Sequence, residues 1–180
     1  MSTTPTSPSG ARASSEERRE QVVGAALREF ADHGFHATTT GAIAKRAGIS
    51  QPYIYALFPN KRELFLAVHE RVVDRIRHAF TEAARGQATP EERIAAMGRA
   101  YIELLGDRDE ILFQMQAHAA AGDPGLREPV RKSFMRLVED VRRMSGASEE
   151  AVVSFMAKGM LLNVVAALEL PEEYVPPPPC

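Results

Sequence analysis

The stretch from Thr38 to Leu64, TTTGAIAKRAGISQPYIYALFPNKREL, constrains this 180-residue chain more than any other. Ile43, Ala44 and Ala47 recur at helical spacing and make one apolar face, and Gly48 follows where a helix end favours a residue able to take positive φ. Ser50 offers a hydroxyl to cap a second helix. Gln51 and Pro52 begin it, and proline is tolerated there because first-turn donors lack intrahelical partners. Ile54 and Leu57 point back to the first helix, which leaves Gln51, Tyr53 and Tyr55 outward. A small residue at Ala44, a turn glycine at Gly48 and aliphatics at Ile49, Ile54 and Leu57 form the packing pattern of a helix-turn-helix, whose second helix enters a DNA groove.

The remainder reads as helical. Alternating β-branched runs are almost absent, and the prolines gather in the two tails and at helix starts, so the expected class is all-α: a three-helix N-terminal head followed by a helical bundle. Residues 1–14 are Ser/Thr/Pro-rich and predict a mobile tail. Ser14 with Glu17 has capping-box spacing and predicts a helix over Ser15–His33, buried through Val23, Ala26, Leu27 and Phe30. Arg12, Arg18 and Arg19 at its start are either solvated charges or phosphate contacts. Thr38–Thr40 can cap the first motif helix, contact phosphate, or both.

After the motif, Asn60 and Glu63 mark the start of a long helix carrying Leu64, Phe65, Val68, Val72, Ile76 and Phe80. Lys61 and Arg62 occupy its first turn, where the macrodipole disfavours cations, so a partner such as a DNA phosphate is expected. Thr89-Pro90-Glu91-Glu92 opens a fifth helix with Ile94, Met97 and Tyr101, and a sixth is expected over Asp109–Ala121. Beyond Asp123-Pro124, Pro129 either kinks the next helix or marks its start, and Val130, Phe134, Leu137, Val141 and Met144 make a side-by-side packing seam. The last helix, Glu149 to about Leu170, is apolar nearly all round. Two burial partners are implied, its own domain and a second copy, with the single-chain central helix as the alternative. The expected dimer face is Phe134, Leu137 and Val141 with Val152, Met156, Gly159, Asn163 and Ala167, the last three four apart where a partner helix could approach. The expected domains are residues 15–62 and 63–170, then a Pro-rich tail, 171–180.

Composition narrows the function classes. Residues 1–85 hold 12 Lys and Arg against 9 Asp and Glu, whereas the rest of the chain is net acidic by 5, so only the N-terminal part suits a polyanion. Cys180 is the single cysteine, which excludes an intrachain disulfide and a cysteine zinc site and fits a reducing cytoplasm. Ser154, Lys158 and Asn163 interrupt the most apolar run, and no membrane association is expected. Neither HExxH nor a nucleophile beside a base occurs, and His33 and His36 have no further ligand at useful spacing. An enzyme is not expected, nor any metal or cofactor.

The capped first helix, the motif and the following helical region together resemble the TetR family of one-component transcriptional regulators, with motif-level similarity over about Arg18–Val68. The resemblance implies that Gln51 reaches a base edge, that Pro52 touches a thymine methyl, and that Tyr53 meets bases or backbone. Tyr55, Lys61 and Thr40 match phosphate-binding positions. Gly41 stands where one well-known member has a base-reading arginine, and Ala56 and Leu57 replace a Trp-His pair, so its operator sequence does not carry over. The resemblance further implies a homodimer formed by the last two helices and a pocket for a partly apolar small-molecule effector. Met97, Tyr101, Gln114 and His118 are the pocket candidates, although methionines are as well plain core and a helical histidine a surface residue. The expected function is an effector-released repressor on a palindrome-like double-stranded operator; an activator or architectural binder without effector is the alternative.

Overall fold

A computed structural model describes residues 9–174 of the chain. Eight α-helices run in order: α1 Ser9–Ala37, α2 Thr40–Ala47, α3 Gln51–Leu57, α4 Lys61–Ala84, α5 Pro90–Leu104, α6 Arg108–Ala119, α7 Pro124–Ser145 and α8 Glu149–Ala167. Two 3₁₀ turns, Ala120–Gly122 and Glu172–Tyr174, complete the described elements. The all-α expectation stands.

α1 begins at Ser9, not at Ser15, so the last six residues of the expected mobile tail are helical and Ser14 lies inside the helix. Ala11, Arg12 and Ala13 are strong helix formers, and their propensity carries the helix past the capping-box signal. Residues 1–8 of that tail, with Pro176–Pro179 and Cys180, lie outside the described residues. α1 breaks at Gly34 (φ 70°, ψ 178°), and a Cβ there would stand 2.7 Å from Gln116 Oε1. Both the positive φ and the neighbouring amide call for glycine.

The helix starts follow the local chemistry. Thr39 caps α2 by accepting from the Ala42 N–H at 3.1 Å, and Asn60 caps α4 by accepting from Glu63 at 2.9 Å. Thr89 and Glu92 form a reciprocal capping box on α5. Ser50 departs from expectation: it holds the extended N-cap backbone of α3, but its hydroxyl makes no capping bond. The short α3 is held instead by Ile54, buried in the core, and by Phe58 beyond its end. α7 runs straight through Pro129. The residue sits one turn inside a capped start, so the missing N–H removes a single intrahelical bond.

One apolar core runs from the head into the body, from Val22 on α1 to Leu162 on α8. Its centre is aromatic. Phe30 on α1 meets Phe65 on α4 edge-on at 4.9 Å between centroids, and Phe65 meets Phe113 on α6 at 5.0 Å. Such pairs contribute about 0.5–1.5 kcal/mol each beyond area burial. α4, about 36 Å long at 1.5 Å per residue, thus starts in the head and ends in the body without interruption.

α8 meets its neighbours through one face. Val152, Phe155, Leu162, Asn163 and Val165 are buried against α5, α6 and α7, whereas Val153, Leu161 and Leu168 are 61%, 46% and 65% exposed. By length and composition alone the helix could cross a membrane, yet its inner face is committed to its own chain.

Candidate nucleic-acid interface and internal cavity

The helix-turn-helix is fixed at its turn. Gly48 takes the left-handed conformation (φ 66°), and the Ile49 N–H bonds the Ala44 carbonyl at 3.0 Å, closing α2 while the chain reverses into α3. Gln21 on α1 donates to the Ala47 carbonyl at 2.9 Å, and Arg46 donates to the buried Glu29 carboxylate at 2.6 Å. Both bonds tie the motif to α1.

On the outer side, Gln51, Pro52, Tyr53 and Tyr55 are all exposed. Thr40 is buried beneath them and joins two of them: its hydroxyl accepts from Gln51 Nε2 at 2.8 Å and shares a 3.0 Å hydrogen bond with the Tyr55 hydroxyl. The three side chains therefore form one polar cluster at the α2–α3 crossing. Gly41 lies beside it, and the atoms nearest to a Cβ there would be those of Gln51 and Thr39 at 3.8 Å, an ordinary contact distance, so the position has room for a Cβ.

Lys61 has partners that its sequence position did not reveal. Its ammonium donates to the Phe35 and Thr38 carbonyls at 2.7 and 2.8 Å, lies 3.3 Å from the His36 carbonyl, and sits 4.6 Å above the Phe35 ring. Desolvation pushes its pKa below that of a free lysine. Arg62 stays exposed but likewise finds a partner within the chain, pairing with Asp123 at 3.2 Å. Asp123 in turn accepts from the Gly125 N–H at 2.7 Å, and that bond, ahead of Arg62, holds its carboxyl below the usual range. Of the N-terminal arginines, Arg18 donates to Gln21 and Arg19 packs over the Phe58 ring at 4.6 Å.

A cavity opens in the body between α4, α5, α6, α7 and α8. Its volume of about 90 Å³ is several times the roughly 10–15 Å³ that a cavity needs to hold one water molecule. Its walls are mostly apolar, with Val73, Ile76, Phe80, Leu137, Phe155 and Leu162 among them. Tyr101, Gln114 and His118 line it as expected. Met97 does not: it is fully buried in the core, because its turn of α5 faces the α4 seam. The Tyr101 hydroxyl donates to Asn163 Oδ1 at 2.6 Å and lies 3.3 Å from Gln114 Oε1. Burial raises the Tyr101 pKa to about 12, so the phenol stays neutral.

His69 on α4 and Lys158 on α8 are polar lining residues that sequence reasoning missed. His69 is 6% exposed, and neither ring nitrogen has a hydrogen-bond partner. Desolvation, with His118 and Arg136 nearby, pushes its pKa down to about 4. Its only sequence signal was a polar residue three or four positions from Phe65, Val72 and Val73 on the apolar face of α4.

The expected dimer residues lie elsewhere than the spacing placed them. Leu137, Val141 and Val152 are buried in their own chain. Asn163 is 2% exposed and bonded to Tyr101, and the Cβ position of Gly159 faces the Tyr101 ring at 3.7 Å. Phe134 and Met156 line the cavity, and Ala167 is half-buried. An all-apolar helix offers two equivalent stripes, and the one picked from spacing is the inner one. The outer stripe runs Val153, Ala157, Leu161, Val164 and Leu168.

Fold and site define an all-helical protein with a helix-turn-helix head on a cavity-bearing helical body. Residues 22–68 match the family profile described as bacterial regulatory proteins, tetR family, so the head of the chain is similar to that family's DNA-binding domain. The chain is 38% identical over 96 residues to the HTH-type transcriptional activator FasR of Mycolicibacterium smegmatis, covering 53% of this chain and 44% of that protein. It is 21% identical over 151 residues to the fatty acid metabolism regulator protein of Bacillus subtilis, covering 81% and 78%. The match thus spans less than half the length of the first of these relatives. Among solved structures, the transcriptional regulator FadR from Bacillus subtilis in complex with stearoyl-CoA superimposes with a TM-score of 0.74 at 18% identity, over 87% of this chain and 91% of that one. A transcriptional regulator from Saccharomonospora viridis in complex with choline gives 0.68 at 19% identity, over 86% and 85%. At these identities the likeness concerns the fold.

Proposed function

We propose that this protein is a cytoplasmic, effector-released transcriptional repressor that binds a palindrome-like operator as a homodimer. The observation that carries the reading is the exposed cluster of Gln51, Pro52, Tyr53 and Tyr55, pinned to α2 through Thr40, on a head joined to a cavity-bearing body by one unbroken helix. Gln51 supplies an amide to a base edge, Pro52 and Tyr53 supply apolar and ring contacts, and the Tyr55 and Thr40 hydroxyls suit phosphate. Lys61 adds positive charge beside this surface while holding the end of α1. Residues 15–62 act as the reading head and 63–170 as the effector and dimer domain.

The dimer forms through the outer stripe of α8, which places two copies of α3 about 34 Å apart in successive major grooves. The effector, a small and partly apolar molecule, binds the cavity in the body. α6 suits transmission, since Gln114 and His118 line the cavity while Gln116, between them, packs on the Gly34 break of α1. An effector that prefers the conformation in which the heads no longer match the groove spacing releases the DNA; equal preference would do nothing.

Gel-shift titration against DNA upstream of the protein's own gene tests the reading. A specific shift, reversed by effector, is expected. Gln51→Ala should relax preference at one base pair by about 1–3 kcal/mol while leaving non-specific binding intact. A folded dimer that gave no specific shift at moderate salt would refute the proposal. A second reading, activation from the same head, is favoured by the relative FasR being a transcriptional activator; reporter output that rises with protein level would select it.

A further inference from the structure

The polar groups of the cavity are asymmetric in charge. His69, His118 and Lys158 contribute to its lining, together with the neutral Tyr101, Gln114 and Asn163, and no aspartate or glutamate does. The rest of the lining is mostly apolar and includes Phe80 and Phe155, packed edge-on at 5.4 Å. Three of the polar groups already serve one another, since Tyr101 bonds Asn163 and approaches Gln114. His69 serves nothing: it is buried, borders the cavity, and has both nitrogens without a partner. A buried polar ring without a partner is a cost that a bound group can remove. A cationic ligand would find no counter-charge here and would be repelled by Lys158. A neutral one would satisfy a nitrogen but leave the positive bias unused.

We propose that the cavity binds an apolar carboxylic acid as its anion, the carboxylate against the unpartnered His69 ring and the hydrocarbon against Phe80 and Phe155, and that binding takes up one proton at His69. This rests on the cavity being the effector site. Besides burial, the groups that set the charge of His69 are His118 on α6 and Arg136 on α7, which is paired with Glu70 at 3.0 Å. In the empty cavity desolvation keeps the ring neutral well below pH 6. A carboxylate at hydrogen-bond distance supplies the missing counter-charge and raises that pKa, and the proton comes from the buffer to the free ring nitrogen. Affinity therefore falls as pH rises from the top of the carboxylate range toward the pKa of the occupied state.

Calorimetric titration of the full chain with octanoate, octanamide and octylammonium, in buffers of different ionisation enthalpy, tests this. Octanoate should bind about tenfold or more tighter than the other two, with net uptake approaching one proton per site and affinity declining between pH 5.5 and 7.5. His69→Leu and His69→Gln should both abolish the uptake. If neither variant folds, the pH series on the unaltered chain decides. Octanamide or octylammonium binding as tightly as octanoate, or octanoate binding without uptake, overturns the anion inference while leaving the cavity as effector site. Failure of all three probes to bind removes the cavity reading and this inference with it, whereas specific DNA binding is measured separately.

Discussion

A cation in the first turn of α4 stands where the helix dipole repels it, and at Lys61 that penalty is offset within the chain. Its ammonium satisfies carbonyls that the end of α1 would otherwise leave without partners. Lys61→Met should lower stability by about 1–3 kcal/mol, read from urea midpoints, even without DNA. An unchanged midpoint would return Lys61 to a purely phosphate role. His69 makes a second prediction at this scale. Its folded-state pKa of about 4 lies below the ordinary histidine value of 6.5, so the unfolded chain binds the proton first as pH falls. Stability is fully present above about pH 6.5 and declines toward pH 4, by about 3 kcal/mol in full at about 1.4 kcal/mol per pH unit. Relative to the unaltered protein, His69→Leu should flatten that acid decline in denaturation curves measured from pH 7 to 4. Neither role was legible in the sequence, because Lys61 and His69 acquire their surroundings from helices 23 or more residues away. Asn60, Thr89 and Gly48 were legible because a cap or a turn needs only its own neighbours.

Between elements, charge ties α4 and α1 to α6. Arg75 on α4 donates to Asp107 at 3.0 Å and pairs at 2.7 Å with Glu110, which is almost fully buried at the start of α6. Arg28 on α1 pairs with Asp109 at 3.5 Å in the same region. The exposed pair at Arg28 contributes little, since exposed ion pairs are worth about 0–1 kcal/mol. Removing Arg75 is different, because it strands a buried carboxylate. Arg75→Leu should cost about 3–5 kcal/mol, and adding Glu110→Leu should recover most of it. Thermal unfolding of both variants checks the pair, and equal destabilisation by single and double changes would show that α6 is held by packing alone. Helix periodicity identified α4 and α6 but could not say which charged flanks would meet. α8 shows the same boundary from the apolar side: its apolar character nearly all round was readable, whereas the choice of the stripe buried in its own chain depends on where α5 places Tyr101.

For the molecule as a whole, the outer stripe of α8 is the testable part of assembly. Leu161→Glu, at a position that touches none of the cavity, should shift sedimentation from dimer to monomer and weaken operator binding by at least tenfold, since two half-sites then bind independently. A variant that sediments as wild type would place the partner surface elsewhere. The apolar core bears on a different matter. Because Phe30, Phe65 and Phe113 belong to one cluster shared by α1, α4 and α6, the division of roles proposed at residue 62 does not coincide with a boundary of folding. Anyone building chimeric regulators from this protein should therefore transplant the head with its complementary α4 and α6 surfaces, since a graft cut at the end of the motif would carry the reading residues away from the aromatic wall that keeps them in shape.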